Sequence, residues 1–336
     1  MRALLGVSAL ALLAVLSGPA AAAPFTAIYA FGDSLSDAGN IFLATGGAIP
    51  APPYFAGHFS NGPTWVEDLS QDLGLGMLQP LLAGGTDYAF AGAVTGPAVP
   101  GANPIIPNIT QQVALFSFLA SGKAPSTGLY TLWIGANDVL DALDDIAAST
   151  LTIADAGSDL ATAAQTAAAA VETLAGEGAE TFIVPLVPDI GKTPAENGDA
   201  GTAALASALS AGYNTDLAAD IDAFAASSEI TVHLLDTYSL IDDAVADPAA
   251  FGYTDVTDPC YSGGYLGGGE ACARPNSYLF WDYEHPTEHG HQELAALAAA
   301  ELLPEPGMLP VFLTAGLMLA WRCRRQRRIG RRRDKA

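Results

Sequence analysis

The sequence predicts an α/β fold, a three-layer α/β/α sandwich around a mostly parallel five-stranded sheet. Short apolar runs alternate along the chain with longer helical segments, which is the pattern of strands joined by crossover helices. Residues 24–304 are also numerous enough for one large domain with a substantial core. The apolar runs predicted as strands are residues 27–30, 86–93, 129–134, 181–187 and 229–235.

The segments between these runs show helical spacing of apolar residues or a high alanine content, both typical of helices. Two stretches, residues 50–63 and 248–284, are instead rich in proline, glycine and aromatic residues. We predict that both are loops and that residues 50–63 and 248–278 form the walls of the site. The predicted helices are residues 65–73, 108–119, 138–147, 158–174, 203–224, 238–245 and 287–303.

The first residues have the pattern of a secretory signal peptide. Arg2 is followed by an apolar run over residues 3–16 and then by small residues up to Ala23. An N-terminal membrane anchor is the alternative, and it is disfavoured because the apolar run is too short to span a bilayer. We therefore assign residues 1–23 to a signal peptide that is cleaved near Ala22 or Ala23.

The last residues, 305–336, also differ from a globular domain. A Pro-Glu-Pro sequence at residues 304–306 precedes an apolar run, and an arginine cluster begins at Arg322. This order resembles the bacterial PEP-CTERM sorting signal, which implies processing by an exosortase-type enzyme. An ordinary C-terminal membrane anchor with a basic cytoplasmic flank is the alternative, and a nucleic-acid-binding tail is a weaker one. Both ends predict an exported protein, periplasmic, cell-surface or extracellular, anchored transiently or permanently by its C-terminal segment.

The charge of the chain is unevenly distributed. The full sequence has 13 basic and 36 acidic residues and a net charge of -23. Residues 24–304 keep only Lys123, Lys192 and Arg274 against 34 acidic residues, so their net charge is 3 - 34 = -31. A body this acidic repels nucleic acid and disfavours an anionic substrate. A solubilising surface is the simplest interpretation.

Two of the three cysteines, Cys260 and Cys272, flank a glycine-rich loop. In an exported protein such a pair predicts a disulfide. A metal site is the alternative, disfavoured because the cysteines are not in a CxxC arrangement. The third cysteine, Cys323, lies in the C-terminal tail.

Two segments carry candidate chemistry. Ser34 follows the first predicted strand and the glycine at position 32, so it lies at the sheet edge where open α/β folds bind ligands. A serine nucleophile also needs a base, a group that orients the base, and oxyanion donors. Asp282 and His285 stand three residues apart just before the last predicted helix. One turn can place the carboxylate on the imidazole Nδ1–H and leave the other nitrogen free as a base. For this pair alone, a helix start with incidental charges is the alternative.

Four short segments in this order resemble the sequence blocks of the GDSL (SGNH) serine hydrolases. They are Gly32-Asp33-Ser34-Leu35, Gly92, Gly135-Ala136-Asn137-Asp138, and Asp282 with His285-Pro286-Thr287. The resemblance covers residues 25–303 and implies the SGNH, flavodoxin-like form of the α/β fold. Residues 31–40 and 280–288 are similar to the branch that holds plant-type GDSL esterases and bacterial phospholipase/acyltransferase-like enzymes.

The resemblance implies a role for each matching residue. Ser34 is the nucleophile, His285 the base and Asp282 its orienter. The oxyanion donors are the backbone N–H groups of Ser34 and Gly92 and the side-chain amide of Asn137. Gly96 is the alternative to Gly92 as the backbone donor. Gly92 is favoured because members of this family branch often have a Gly-Ala pair at this point. We expect Asp33 and Asp37 to brace the serine turn rather than to act in catalysis.

We therefore predict an exported esterase or lipase that forms an acyl-enzyme on a small-molecule or lipid ester and needs no cofactor. An acyltransferase or a sugar-ester deacetylase would use the same residues, and a non-catalytic surface-matrix protein could share the scaffold. His289 and His291 lie near several glutamates, but the HExxH spacing is missing, so we predict no metal site.

Overall fold

The computed structural model describes residues 25–96 and 106–302. The predicted signal peptide, residues 1–23, and the predicted sorting signal, residues 305–336, lie outside the described residues. Among the helices in the described part of the chain, none is long and apolar enough to cross a membrane.

The central sheet has four strands, which pair in sequence order and are all parallel. Parallel neighbours require crossover connections, and the predicted helices supply them. The strands are β1 (Ala27–Gly32), β2 (Gly128–Trp133), β3 (Thr181–Pro185) and β4 (Thr231–Leu235).

The segment predicted as a fifth strand, residues 86–93, is a short extended run beside β1. The Tyr88 N–H donates to the Ala30 carbonyl (2.7 Å) and the Phe90 N–H donates to the Gly32 carbonyl (3.1 Å). Glycines 84 and 85 precede this run and Gly92 turns the chain away after it. The segment is therefore too short for a full strand, and the sheet predicted with five strands has four in the described residues.

Eight helices are present in the described residues, and the predicted loop over residues 248–284 contains a second, two-stranded sheet. The prediction of a continuous loop there was wrong, because the two strands are short and one ends in a proline. The helices are α1 (Asn40–Ala44), α2 (Trp65–Asp72), α3 (Ile109–Leu119), α4 (Ala136–Ala147), α5 (Ile153–Gly176), α6 (Ala200–Ala225), α7 (Thr237–Ala246) and α8 (Glu288–Leu302). The additional strands are β5 (Asp255–Pro259) and β6 (Tyr278–Phe280).

The central sheet is buried on both faces, which confirms the three-layer prediction. Side chains alternate between the faces of a strand. Phe31 and Phe182 pack on one face with residues of α3, α4, α5 and α6. Ile28 and Trp133 pack on the other face with residues of α2 and α8. The C-terminal ends of the strands meet at one edge of this sandwich, and the serine turn lies there.

Candidate active site

The turn after β1 presents Ser34. A Cβ atom at Gly32 would lie 2.2 Å from the Trp133 carbonyl oxygen, so the close approach of β2 requires glycine. The Gln112 side chain of α3 holds the turn from the other side. Its Oε1 accepts the Gly32 N–H (2.9 Å), and its Nε2 donates to the Gly32 carbonyl (2.8 Å). The serine is therefore fixed at the edge of the sheet by two neighbouring elements.

Ser34, His285 and Asp282 form an unbroken chain of hydrogen bonds. The Ser34 Oγ lies 2.7 Å from His285 Nε2. The His285 Nδ1 lies 2.9 Å from Asp282 Oδ2 and 3.0 Å from Oδ1. Both Asp282 and His285 are buried in the turn between β6 and α8. The structure thus brings Ser34 to the Asp282–His285 pair, from which the sequence separates it by about 250 positions.

The pair of Asp282 and His285 has opposite pKa shifts. Burial alone raises the pKa of Asp282, but the charge of His285 and the hydrogen bonds to the carboxylate lower that pKa below its ordinary value. Burial alone lowers the pKa of His285, but the Asp282 carboxylate raises that pKa above its ordinary value. The site therefore favours an ionised carboxylate beside an imidazole of increased basicity.

A fourth residue of this chain, Tyr54, was missed by sequence reasoning. Its hydroxyl donates to Asp282 Oδ2 at 2.7 Å. Burial and the Asp282 carboxylate both raise the pKa of Tyr54, so the hydroxyl keeps its proton. Residues 50–63 were predicted to wall the site, and Phe59 does lie there, with its ring 5.5 Å from the His285 ring. No feature of the sequence distinguished Tyr54 from the other aromatic residues of this loop.

Of the candidate oxyanion donors, Asn137 lines the same cavity as Ser34. Asn137 is in the first turn of α4, and its Nδ2 donates one hydrogen to the Ala93 carbonyl (2.8 Å), which leaves the second N–H for a ligand. Gly92, which precedes Ala93, has φ +80°, a left-handed conformation that favours glycine. Gly96 does not have a φ in that region, so the turn that needs glycine is at Gly92.

A small cavity lies beside Ser34. It encloses about 30 Å³ and is lined by Asn137 and His285 and by apolar side chains that include Leu140 and Ile190. This volume has room for about two water molecules. Gly92 instead lines a neighbouring groove of about 630 Å³ on the α4–α5 side.

The two aspartates of the serine turn differ in their surroundings. Asp37 Oδ2 accepts the Ala91 N–H (2.8 Å), so this residue ties the turn to the extended segment beside β1. Asp33 Oδ1 accepts the Leu35 N–H (3.0 Å). Its Oδ2 is buried and has no hydrogen-bond partner among the described residues. Burial raises the pKa of Asp33 to about 7.

The remaining histidines near the site have partners of their own. His291 Nδ1 accepts the Trp65 N–H (3.1 Å), and burial lowers the pKa of His291 to about 3. His289 Nε2 lies 3.5 Å from Glu293 Oε1. Across residues 25–96 and 106–302 there is no group of three or more His, Cys, Asp or Glu side chains that could hold a metal ion. Cys260 and Cys272 are joined by a disulfide.

Comparison with known proteins gives a consistent result. The family model described as GDSL-like Lipase/Acylhydrolase matches residues 28–298, which include Ser34, Asp282 and His285. The phosphatidylcholine-sterol acyltransferase of Aeromonas hydrophila is 31% identical over 265 residues, which are 78% of this chain and 72% of that protein. The thermolabile hemolysin of Vibrio parahaemolyticus is 27% identical, over 80% of this chain and 62% of that protein. GDSL esterase/lipase 6 of Arabidopsis thaliana is 27% identical, over 79% of this chain and 84% of that protein.

Proposed function

The chain belongs to the family of GDSL-like lipases and acylhydrolases, and we propose that it is a serine esterase that cleaves carboxylic esters through an acyl-enzyme on Ser34. The observation that carries this proposal is the hydrogen-bonded chain from Ser34 Oγ through His285 to Asp282, with distances of 2.7 and 2.9 Å. This arrangement can remove the serine proton during attack and return it to a leaving group.

The proposed reaction has two halves. Ser34 Oγ attacks the ester carbonyl while His285 Nε2 takes its proton, and Asp282 stabilises the imidazolium that forms. The oxyanion accepts hydrogen bonds from the free N–H of Asn137 and from the backbone N–H groups of Ser34 and Gly92. The intermediate collapses when His285 protonates the leaving alcohol. Water then attacks the acyl-enzyme, with His285 again as the base, and the acid is released.

The substrate that we propose is a neutral ester with a short acyl chain. The cavity beside Ser34 is small, about 30 Å³, and Leu140 and Ile190 are among its lining side chains, which favours a short acyl group there. The net charge of -31 on residues 24–304 (3 - 34) disfavours anionic phospholipids.

Acyl transfer is the second candidate. The Aeromonas relative is named an acyltransferase, and the catalytic chain of hydrogen bonds would serve an alcohol acceptor as well as water. Product analysis in the presence of increasing alcohol tests this candidate. Formation of the new ester at the expense of the free acid would favour the transferase.

We also propose that the protein is exported and that an exosortase-type enzyme processes its C-terminal segment. Within the family, we place the protein in the plant-type and phospholipase/acyltransferase-like branch. The two chain ends and the segments around Ser34 and His285 support these proposals. Mass spectrometry of the mature protein tests the first two. We expect an N-terminus at or next to residue 24 and a C-terminus near residues 304–306. A chain that keeps residues 1–23 and stays in the cytoplasm would contradict export, and an exported chain that keeps residues 305–336 would contradict processing.

The decisive experiment compares the purified protein with Ser34→Ala on p-nitrophenyl esters from acetyl to palmitoyl, together with labelling by a fluorophosphonate probe. Ser36→Ala is the matched control, because Ser36 lies in the same turn but its Oγ contacts Trp65 Nε1. We expect Ser34→Ala to lose hydrolysis and labelling and Ser36→Ala to keep both. An unmodified protein that neither hydrolyses any ester nor labels at Ser34 would overturn the proposal and favour a non-catalytic surface role.

A further inference from the structure

The Asp282 carboxylate receives hydrogen bonds from two parts of the chain. Its own turn supplies the N–H groups of Glu284 and His285 to Oδ1 (2.9 and 2.8 Å) and the imidazole Nδ1 to both oxygens. Among the described residues, the remaining donor is the Tyr54 hydroxyl on Oδ2, which is 228 positions away in the sequence. Tyr54 is therefore the contact that ties this carboxylate to an element outside its own turn.

The ring of Tyr54 is itself held firmly. It is 5% exposed and lies edge-on to the rings of Tyr261 (5.3 Å between centroids) and Trp281 (6.0 Å). Tyr261 directly follows Cys260 of the disulfide, and Trp281 directly precedes Asp282. The ring that carries the hydroxyl is thus held by one residue next to the disulfide and by one residue next to Asp282.

The loop closed by the disulfide also holds the backbone beside Tyr54. The Ala51 N–H donates to the Tyr265 carbonyl (2.8 Å), and the Tyr265 ring lies 5.9 Å from the Tyr54 ring. Tyr265 lies between the two bonded cysteines, Cys260 and Cys272. Closing this loop restricts the chain and so keeps Tyr54 against the site.

We propose that Tyr54 is a positioning residue of the esterase site, which fixes the orientation and charge of Asp282 and is itself held by the loop between Cys260 and Cys272. The proposal rests on the proposed function, because it assigns a role within the same site. A hydrogen bond from the hydroxyl withdraws negative charge from Oδ2. Without it, the carboxylate interacts more strongly with the imidazolium, and His285 holds its proton to a higher pH.

Other charged or titratable groups also face His285. Asp33 lines the same cavity from the serine turn, Glu284 precedes His285, and Tyr265 donates to Glu284 Oε2 (3.2 Å). His291 on α8 also interacts with His285, whose charge helps burial to lower the pKa of His291. Since Tyr54→Phe leaves all of these groups in place, a change in the titration of His285 would be attributable to the missing hydroxyl.

The test uses Tyr54→Phe, which keeps the ring and removes only the hydroxyl. Tyr130→Phe is the matched control, because the Tyr130 ring is also buried and its hydroxyl donates to the Pro125 carbonyl (2.9 Å), away from Asp282. We expect Tyr54→Phe to lower kcat at least tenfold, as for loss of a hydrogen bond to a charged group, with KM within twofold. The acid limb of its pH–rate profile should move to higher pH. Tyr130→Phe should change neither.

A second measurement needs no substrate. NMR titration of the His285 ring in the full chain compares its pKa in the unmodified protein and in Tyr54→Phe. An upward shift supports the proposal, whereas an unchanged or lowered pKa overturns it. Failure of the proposed function would be recognised separately, because the unmodified protein would then not label at Ser34.

The disulfide supplies a second variant in case Tyr54→Phe does not fold. Replacing Cys260 and Cys272 together by serine leaves Tyr54 intact and releases the loop that holds it. We expect the pKa of His285 to move upward here also, by less than in Tyr54→Phe. A titration identical to that of the unmodified protein would overturn the proposed contribution of the loop.

Discussion

Asp33→Asn is expected to stabilise the protein at neutral and alkaline pH. Asp33 is fully buried beside the nucleophile, and its Oδ2 has no hydrogen-bond partner in the described part of the chain. Burial raises its pKa most, the Leu35 N–H and His285 lower it, and Asp138 raises it, so that the pKa is about 7. Asparagine keeps an oxygen that can accept the Leu35 N–H and carries no charge to bury.

The magnitude follows from the two pKa values. An acid whose pKa is higher in the folded protein than in the unfolded chain destabilises the fold when it ionises. The penalty is absent below pH 3.8, grows between pH 3.8 and 7, and is constant above pH 7. Its full size is about 4 kcal/mol at 1.36 kcal/mol for each pKa unit. About a third of it is already present at pH 5, so about 3 kcal/mol develops between pH 5 and pH 8.

The assay is urea unfolding of both proteins at pH 5, 6, 7 and 8. We expect the unfolding free energy of Asp33→Asn, relative to that of the unmodified protein, to increase by about 3 kcal/mol from pH 5 to pH 8. Asp199→Asn is the control, because Asp199 is an exposed cap of α6 whose hydrogen bonds lower its pKa. The stabilisation by the Asp199 carboxylate is lost only at acidic pH. The difference in unfolding free energy between Asp199→Asn and the unmodified protein should therefore be constant from pH 5 to pH 8. If the difference in unfolding free energy for Asp33→Asn were also constant over this range, the conclusion that Asp33 titrates near pH 7 would be refuted.

Three further predictions concern the reaction. Asn137→Ala should lower kcat by about 100- to 1,000-fold with little change in KM, because it removes one oxyanion donor; steady-state kinetics would contradict this if kcat fell less than tenfold. Leu140→Ala should enlarge the cavity beside Ser34 and move the preferred p-nitrophenyl ester to a longer acyl chain, and an unchanged chain-length profile would contradict that assignment of the acyl pocket. The kcat/KM of the unmodified protein should fall as pH decreases through the pKa of His285, because the base must be neutral. Asp282 raises that pKa above 6.5, so a midpoint of the pH profile below pH 6.5 would contradict this prediction.

The fold was predictable because each main element has a local signal. The runs that became β1, β2, β3 and β4 are largely apolar, and glycine or proline marks an end of the first three. The helices between them show helical spacing or high alanine content. The places of Ser34 and of the Asp282–His285 turn were also predictable. A residue at the end of a parallel strand must lie at the carboxyl edge of the sheet, and a three-residue spacing lets one turn bring a carboxylate to an imidazole. These inferences need only the local chain and the rules of parallel sheets.

What sequence reasoning missed depends on contacts between distant segments. Tyr54 reaches Asp282 only because the segments over residues 50–63 and 248–284 fold against each other, and neither segment has a periodicity that fixes its path. The isolated oxygen of Asp33 likewise results from what surrounds it in three dimensions, since the same aspartate in an open turn would be solvated. Such contacts determine the pKa of the base and the orientation of its carboxylate. The sequence can therefore identify the residues that react, whereas the positions of the groups that adjust their reactivity come from the packing of the loops.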